Sequence, residues 1–215
     1  MRVDAATGLR ERKKQRTRQA IADAAIAMFL EHGFDQVSVV AVAAAAEVSK
    51  PTLFKHFPTK EDLVMHVLAD HEDELARAVR ERPAGESPLA ALRRHHLDGL
   101  AARDAITGLS DAPEVRALYR MMEAAPTLSV RLLRFAARRA EALAEAFGEE
   151  VGSRPGDITN RLVAHQVTIT LRVLADDNVR RIAEGAGSDD LYPDAVAATE
   201  RAFDMLRDGI GDTIA

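Results

Sequence analysis

The sequence predicts an all-α fold, and three observations carry that prediction. Aromatic residues are 4% of the chain and Trp is absent, so the interior must be aliphatic and Ala-rich, which favours helix. Apolar residues recur at spacings of three and four through most of the 215 residues. The breaks between these stretches fall at Gly and Pro. A chain of this length buries a sizeable core without staples. The absence of Cys excludes a disulfide framework, a zinc finger and a thiol nucleophile. No apolar run approaches the ~20 residues of a membrane span, and the first residues lack the apolar stretch of a signal peptide. The expectation is a cytoplasmic protein with no membrane partner.

Each element has a local reason. Residues 1–10 are polar and without periodicity, and are expected to be disordered. From Thr17 to His32, the positions Ile21, Ala24, Ala25, Met28 and Phe29 describe one helix, with Gly33 to end it. The run VSVVAV at 37–42 is β-branched, but it continues into AAAAEV. With Ser38 as N-cap, a second helix is expected over about 39–46. Ser49 caps a short third helix with Pro51 in its first turn, and Pro58 ends it. Thr59 opens a fourth helix, with Asp62 completing a capping box. Its buried stripe runs through Leu63, Val64, Val67, Leu68, Leu75 and Val79, up to the break at Pro83, Gly85 and Pro88. Further helices are expected over about 89–102, 113–124, 127–147 and 157–184, and from near Pro193. No element is assigned to 104–112. The segment VTITLRV at 167–173 alternates like a strand, yet helical sequence flanks it on both sides.

The net charge of −5 conceals an asymmetry. Residues 1–60 carry +4, including all five lysines, and residues 61–215 carry −9. A basic head on an acidic body suits a head that meets a polyanion, although a solubilising tail would look the same. Three helices in the first 57 residues, the last two short and tightly joined, describe a helix-turn-helix. In that motif one helix braces against the nucleic-acid backbone while the next enters the major groove. Val42, Ala43, Val48, Leu53 and Phe57 can pack the pair, leaving Ser49, Lys50, Thr52, Lys55 and His56 for phosphates and base edges.

The stretch from Thr17 to Leu63 resembles the N-terminal domain of TetR-family transcriptional regulators. The likeness rests on Ile21…Ala24-Ala25…Phe29…Gly33-Phe34, the Ala-rich second helix, Val48-Ser49, Leu53-Phe54-x-His56-Phe57 and Lys60-Glu61-Asp62-Leu63. Two positions depart from the family pattern: Glu47 stands where Gly is usual, and Phe54 where Tyr is common. The resemblance implies an all-α protein with a three-helix helix-turn-helix DNA-binding domain at 11–59. A helical effector-binding and dimerisation domain at 60–215 would follow. It implies that Ser38 caps helix 2 and touches phosphate, and that Ser49, Lys50, Pro51 and Thr52 face the groove. It places Phe54, Lys55 and His56 near backbone or base edges, and Lys60 beside a phosphate. Arg16 and Arg18, with Arg10, Arg12, Lys13 and Lys14, would contact phosphate or the minor groove. The implied partners are a double-stranded, palindromic DNA operator, a second copy of the chain and a small apolar or amphipathic effector. The implied regulatory sense is repression.

In the body, Met121, Met122 and Phe135 are candidates to line an effector pocket. His165, Thr168 and Arg172 share one helical face and would either bond an effector or pair across a dimer seam. The last helix carries a wide apolar stripe, which nominates Val196, Thr199, Phe203 and Leu206 for that seam. Arg131, Arg134 and Arg138 read as a solvated stripe rather than an anion clamp. No His pair has metal-ligand spacing, so no metal is expected. Nor are a G-x-S-x-G, a P-loop or an H-E-x-x-H present, so neither a cofactor nor enzymatic activity is expected.

Overall fold

The computed structural model describes the backbone of residues 3–210 and the side chains of residues 12–209. Helices and turns account for the regular structure, and no strand occurs among the described residues. The chain forms two compact units. One runs up to Val67 and includes Arg120–Arg131; the other holds Leu68–Tyr119 and the chain from Leu132 onward.

The first unit contains α1 (Val3–His32), α2 (Val39–Ala45), α3 (Lys50–His56) and α4 (Lys60–Met65). α1 is longer than the sequence suggests. Its helix starts at Val3, so residues 3–10 continue it instead of forming an irregular tail. Ala5, Ala6, Leu9 and Arg10 are good helix formers and no Pro interrupts them. Met1 and Arg2 lie outside the described residues. Ile21, Ala25 and Phe29 of α1 are buried with Val42 of α2, Leu53 of α3 and its C-cap Phe57, and Leu63 and Val64 of α4. Ser38 caps α2 by accepting the Ala41 N–H at 3.1 Å. Thr59 and Asp62 form the reciprocal capping box at the start of α4.

The turn between α2 and α3 ends in a left-handed residue. Glu47 has φ 53°. Its N–H reaches the Ala44 carbonyl at 3.1 Å and the Val48 N–H reaches that of Ala43 at 2.9 Å. This is a Schellman termination with a side chain at the position that favours glycine.

The second unit contains α5 (Glu74–Arg80), α6 (Pro88–Ala101), α9 (Ile158–Ala183) and α10 (Ser188–Ile210). It also takes in most of α7 (Pro113–Ala124) and α8 (Pro126–Val151). Its core joins Leu75 and Val79 of α5, Leu92 of α6, Leu143 and Phe147 of α8, Val163 and Val167 of α9, and Phe203 of α10. The alternating 167–173 segment is helical, within α9, whose N-cap Asp157 accepts from Thr159 and Asn160.

Three expectations change. The fourth helix is not continuous to Val79: α4 ends at Met65, a 3₁₀ segment covers His66–His71, and α5 follows. The break is held by side chains, since Arg77 donates to the Asp70 carbonyl at 3.2 Å and His71 pairs with Glu74 at 2.7 Å. Residues 105–107 form a 3₁₀ turn. Gly108 closes it at φ 72°, where a Cβ would lie 2.2 Å from the Ala175 carbonyl oxygen of α9, so no other residue fits. Finally, α10 starts five residues before Pro193. The Asp111 carboxylate accepts the Ser188 N–H at 2.9 Å, which supplies a cap from a distant loop.

Glu47→Gly should stabilise the first unit by about 1 kcal/mol, since glycine adopts positive φ without the Cβ clash. Urea denaturation followed on a first-unit probe measures it. Unchanged or lower stability would show that the turn carries no strain at Glu47.

Candidate nucleic-acid interface

α3 is a short helix with one sealed and one open side. Leu53 and Phe57 are fully buried, whereas Lys50, Pro51 and Lys55 are exposed and the Phe54 ring is 37% exposed. Ser49 caps the helix. Its Oγ accepts the Thr52 N–H at 3.2 Å and lies 2.8 Å from the Thr52 hydroxyl. The first turn therefore presents two hydroxyls and the Lys50 ammonium together, a set that favours anions, while the Leu53 N–H is taken by the Ser49 carbonyl at 3.0 Å. Lys50 Nζ also lies 5.9 Å from the centre of the Phe54 ring. His56 is partly buried. Burial, followed by the charges of Arg18, Lys14 and Lys55, lowers its pKa, so it stays neutral near pH 7. These neighbours mark a local positive field over the end of α3.

Arg12, Lys13, Lys14 and Arg16 are exposed on α1. They sit on a helix, not on a flexible arm, so their spacing is fixed by the helical repeat. Arg10 lies outside the residues whose side chains are described.

Two expected contact residues are engaged elsewhere. The Arg18 guanidinium stacks 4.7 Å from the Phe57 ring centre and donates to the His56 carbonyl at 3.2 Å. It satisfies the C-terminus of α3 and ties that helix to α1. Lys60 is turned inward: its ammonium donates to the Phe34 carbonyl and lies 4.4 Å from the Phe34 ring centre. A cation near two aromatic faces and a carbonyl is better placed than one left in water at the edge of a buried core.

Arg131 was not legible as part of this unit. One nitrogen donates to Thr59 Oγ1 at 3.1 Å, and another lies 3.4 Å from Asp62. It therefore grips both members of the α4 capping box. Of its neighbours in the same stripe, Arg138 pairs with Glu72 at 2.8 Å and Arg134 is exposed.

The body candidates divide. Met122 is buried in the first unit, with Met121 partly buried beside it in sequence, and Phe135 is buried in the second unit. His165 and Arg172 are exposed on α9, and Arg172 pairs with Asp176 at 3.4 Å. The Thr168 hydroxyl donates within its own helix, to the Ala164 carbonyl at 2.9 Å. His165 and Arg172 thus face away from the core, and Thr168 is half-buried. The seam candidates lie within the packing of one protomer. Phe203 and Leu206 are buried in the protomer's own core, Thr199 is 1% exposed and bonded to the Ala195 carbonyl, and Val196 packs against the cluster that holds Leu100, Leu109 and Ile182. A stripe wide enough to suggest two neighbours is covered by α6 and α9 within one chain.

Sequence spacing also missed a polar cluster inside the second unit. Glu74 accepts from His71 at 2.7 Å and lies 3.5 Å from His95, and these contacts hold its carboxyl well below the usual range. The same hydrogen bond to Glu74 raises the His71 pKa. Ligand-type atoms of His71, Glu74 and Asp104 lie within 4.8 Å of one another, a grouping invisible in sequence because Asp104 is remote. Asp104 also caps Ile106. His96 is 7% exposed, its Nε2 has no partner, and burial, then His95 and Arg139, lowers its pKa to about 4. Arg139 Nε is likewise buried without a partner.

Residues 21–67 match the family described as bacterial regulatory proteins, tetR family. The chain is 31% identical over 150 residues to the HTH-type transcriptional regulator TcmR of Streptomyces glaucescens, covering 69% of this chain and 65% of that one. It is 37% identical over 83 residues to the HTH-type transcriptional repressor LfrR of Mycolicibacterium smegmatis, covering 38% and 42% of the two chains. The matches thus span less than two thirds of either relative. Among solved structures, a SmeT–triclosan complex superposes with a TM-score of 0.57 at 16% identity, over 90% of this chain and 91% of that one. That likeness shows a shared all-helical fold, with an N-terminal helix-turn-helix and a helical C-terminal domain.

Arg131→Met should lower the stability of the first unit by about 1–3 kcal/mol, the value of a charge-assisted bond to partly buried acceptors. Arg134→Met, at an exposed site, should stay within about 0.5 kcal/mol. Hydrogen exchange of the α4 amides distinguishes the two. Equal protection in both variants would remove Arg131 from the capping-box network.

Proposed function

We propose that this chain, a member of the tetR family of bacterial regulatory proteins by its N-terminal domain, is a dimeric transcriptional regulator and not an enzyme. In this reading it represses from a palindromic double-stranded operator. It lets go when a small apolar or amphipathic effector enters the helical body. The observation that carries the reading is α3: its apolar side is sealed on the domain core, while Lys50, Pro51, Phe54 and Lys55 stand open beside the Ser49–Thr52 cap. Short donors and cations at the start of a helix that can enter a groove suit base edges and phosphates. The exposed Lys13, Lys14 and Arg16 on α1 add sequence-independent charge. LfrR, one of the similar proteins, is a repressor, and SmeT binds the small molecule triclosan in its complex.

Dimerisation follows from a surface as well as from the family. Ile158, Leu162, Ile169 and Val173 are 54–62% exposed along one face of α9, with Met205 of α10 at 75%. His165 and Arg172 lie on that α9 face. An apolar helix face of this length needs a cover, and a second copy offers the same face by two-fold symmetry. A two-fold dimer doubles the contacts and reads a palindrome. An effector releases DNA only through differential affinity: tenfold release requires a preference for the free form of roughly 1.4 kcal/mol.

Selection from random duplexes with the full-length protein should yield two-fold symmetric sites. On those sites, Lys50→Ala and Thr52→Ala should each lower the ratio of specific to random affinity by about 1–3 kcal/mol. Replacing Lys13, Lys14 and Arg16 by Gln should weaken both DNAs alike and flatten the log–log salt slope by roughly 0.9 per lost phosphate contact. The reverse pattern would make α1 the reader and refute the placement of α3.

The seam has its own test. Leu162→Glu and Ile169→Glu should leave the helical content intact and cost the dimer about 3 kcal/mol or more per buried charge, seen as monomer in sedimentation. Phe203→Glu should unfold the second unit instead. A stable dimer in both α9 variants would show that the seam lies elsewhere.

A further inference from the structure

Three side chains with ligand atoms converge in the second unit from segments that the sequence keeps apart. His71 ends the 3₁₀ segment before α5, Glu74 opens α5, and Asp104 caps the short turn after α6. Ligand-type atoms of the three lie within 4.8 Å of one another. The His71 ring is 2.7 Å from Glu74 through Nδ1 and 4.0 Å from Asp104 through Nε2. Two ligands about 2.1 Å from one ion stand about 3.4 Å apart at the tetrahedral angle, which falls between those separations. The side chains of His71 and Glu74 are each 20% exposed and that of Asp104 is 32% exposed, so an ion can reach all three from solvent.

The arrangement exceeds what an ion pair needs. One imidazole is served by one carboxylate, and this one has two beside it. Glu74 directs Oε2 at His71, while its Oε1 lies 3.5 Å from His95 Nε2. A donor on the outer oxygen is how a metal-binding carboxylate is held in orientation. Asp104 Oδ1 accepts the Ile106 N–H at 3.0 Å, and no described residue donates to its Oδ2. The charge of Arg139 acts on Glu74 and Asp104, but no described hydrogen bond joins it to either. It lowers the attraction for a cation without occupying the oxygens.

We propose that His71, Glu74 and Asp104 form a binding site for a divalent transition ion of the zinc type, with His95 orienting Glu74. The inference does not rest on the effector reading above. Two carboxylates match the charge of the ion, and an imidazole nitrogen among oxygen ligands favours zinc, whereas magnesium prefers oxygen and water alone. The ion takes the place of the proton between His71 and Glu74, which is released to solvent. Three protein ligands leave a fourth position for water. An ion held there ties the 3₁₀ segment, the start of α5 and the 105–107 turn to one point, and stabilises the second unit by mass action.

The test uses tag-free, full-length protein stripped with a chelator, without DNA. Equilibrium dialysis against Zn2+ should leave one ion per chain, which a large excess of Mg2+ does not displace. Zn2+ should also raise the melting temperature, and nitrogen NMR of the imidazole rings should show His71 shifted by the ion and His32 unmoved. His71→Ala, Glu74→Gln and Asp104→Asn should each weaken Zn2+ binding by about tenfold or more. Asp104→Asn keeps an oxygen for the Ile106 amide, so it decides the matter if either other variant fails to fold. His32→Ala, at an exposed site of the first unit, should bind as wild type does. The proposal is overturned if no Zn2+ is retained, if Mg2+ displaces it, or if Asp104→Asn binds as tightly as wild type. Loss of the ion in His32→Ala, or an unmoved His71 ring, would equally overturn it by placing the zinc elsewhere.

Discussion

The guanidinium of Arg131 on the capping box of α4 is the contact on which the first unit depends. Thr59 and Asp62 already satisfy two amides reciprocally, at 3.2 and 2.9 Å. Arg131 adds a donor to Thr59 and a charge to Asp62, with both charged side chains a little over a quarter exposed. At that depth the pair is neither screened like a surface ion pair nor penalised like a fully buried one. The start of α4 is also fixed from its other side, by Lys60 on the Phe34 carbonyl. One helix start thereby gathers the end of α1, the first turn of α4 and the first turns of α8.

The basic head divides its charge between two tasks. Arg18 and Lys60 face inward, over Phe57 and Phe34, and close carbonyls that the local helices and turns leave open. Lys13, Lys14, Arg16, Lys50 and Lys55 stay exposed. The acidic body uses its charge differently: Arg80–Glu149, Arg93–Glu200 and Arg103–Asp189 are paired across helices far apart in sequence. Arg139 is half-buried, with its Nε shut off from solvent and without a hydrogen-bond partner.

Most of the first unit was readable in the sequence because its determinants are local. Ser38, Ser49 and the Thr59–Asp62 pair act within three residues of themselves. Glu47 stood out in the sequence because Gly is usual there in the family it resembles, and the Schellman end does place it at positive φ. The inward contacts of Arg18 and Lys60 were not legible because a cation next to a motif looks the same in sequence whether it faces an anion or an aromatic ring. The fourth helix was misread because periodicity continues through His66–His71, while the break depends on His71, Glu74 and Arg77 bonding across it.

By itself the sequence determined the all-α class, the three-helix head with its caps, the helical reading of 167–173 and the charge asymmetry. All of these follow from spacing, propensity and composition, which act between residues a few positions apart. Only the tertiary structure decided which apolar stripe is covered. Phe203 and Leu206 are enclosed by helices more than thirty residues away, whereas Leu162, Ile169 and Val173 are left open. It alone brought Asp104 to His71, Asp111 to Ser188 and Arg131 to Asp62. It also left His96 Nε2 and Arg139 Nε shut off from solvent without partners. Hydrophobic periodicity records that a face is apolar, but the neighbour that removes it from water is chosen by the packing of the whole chain.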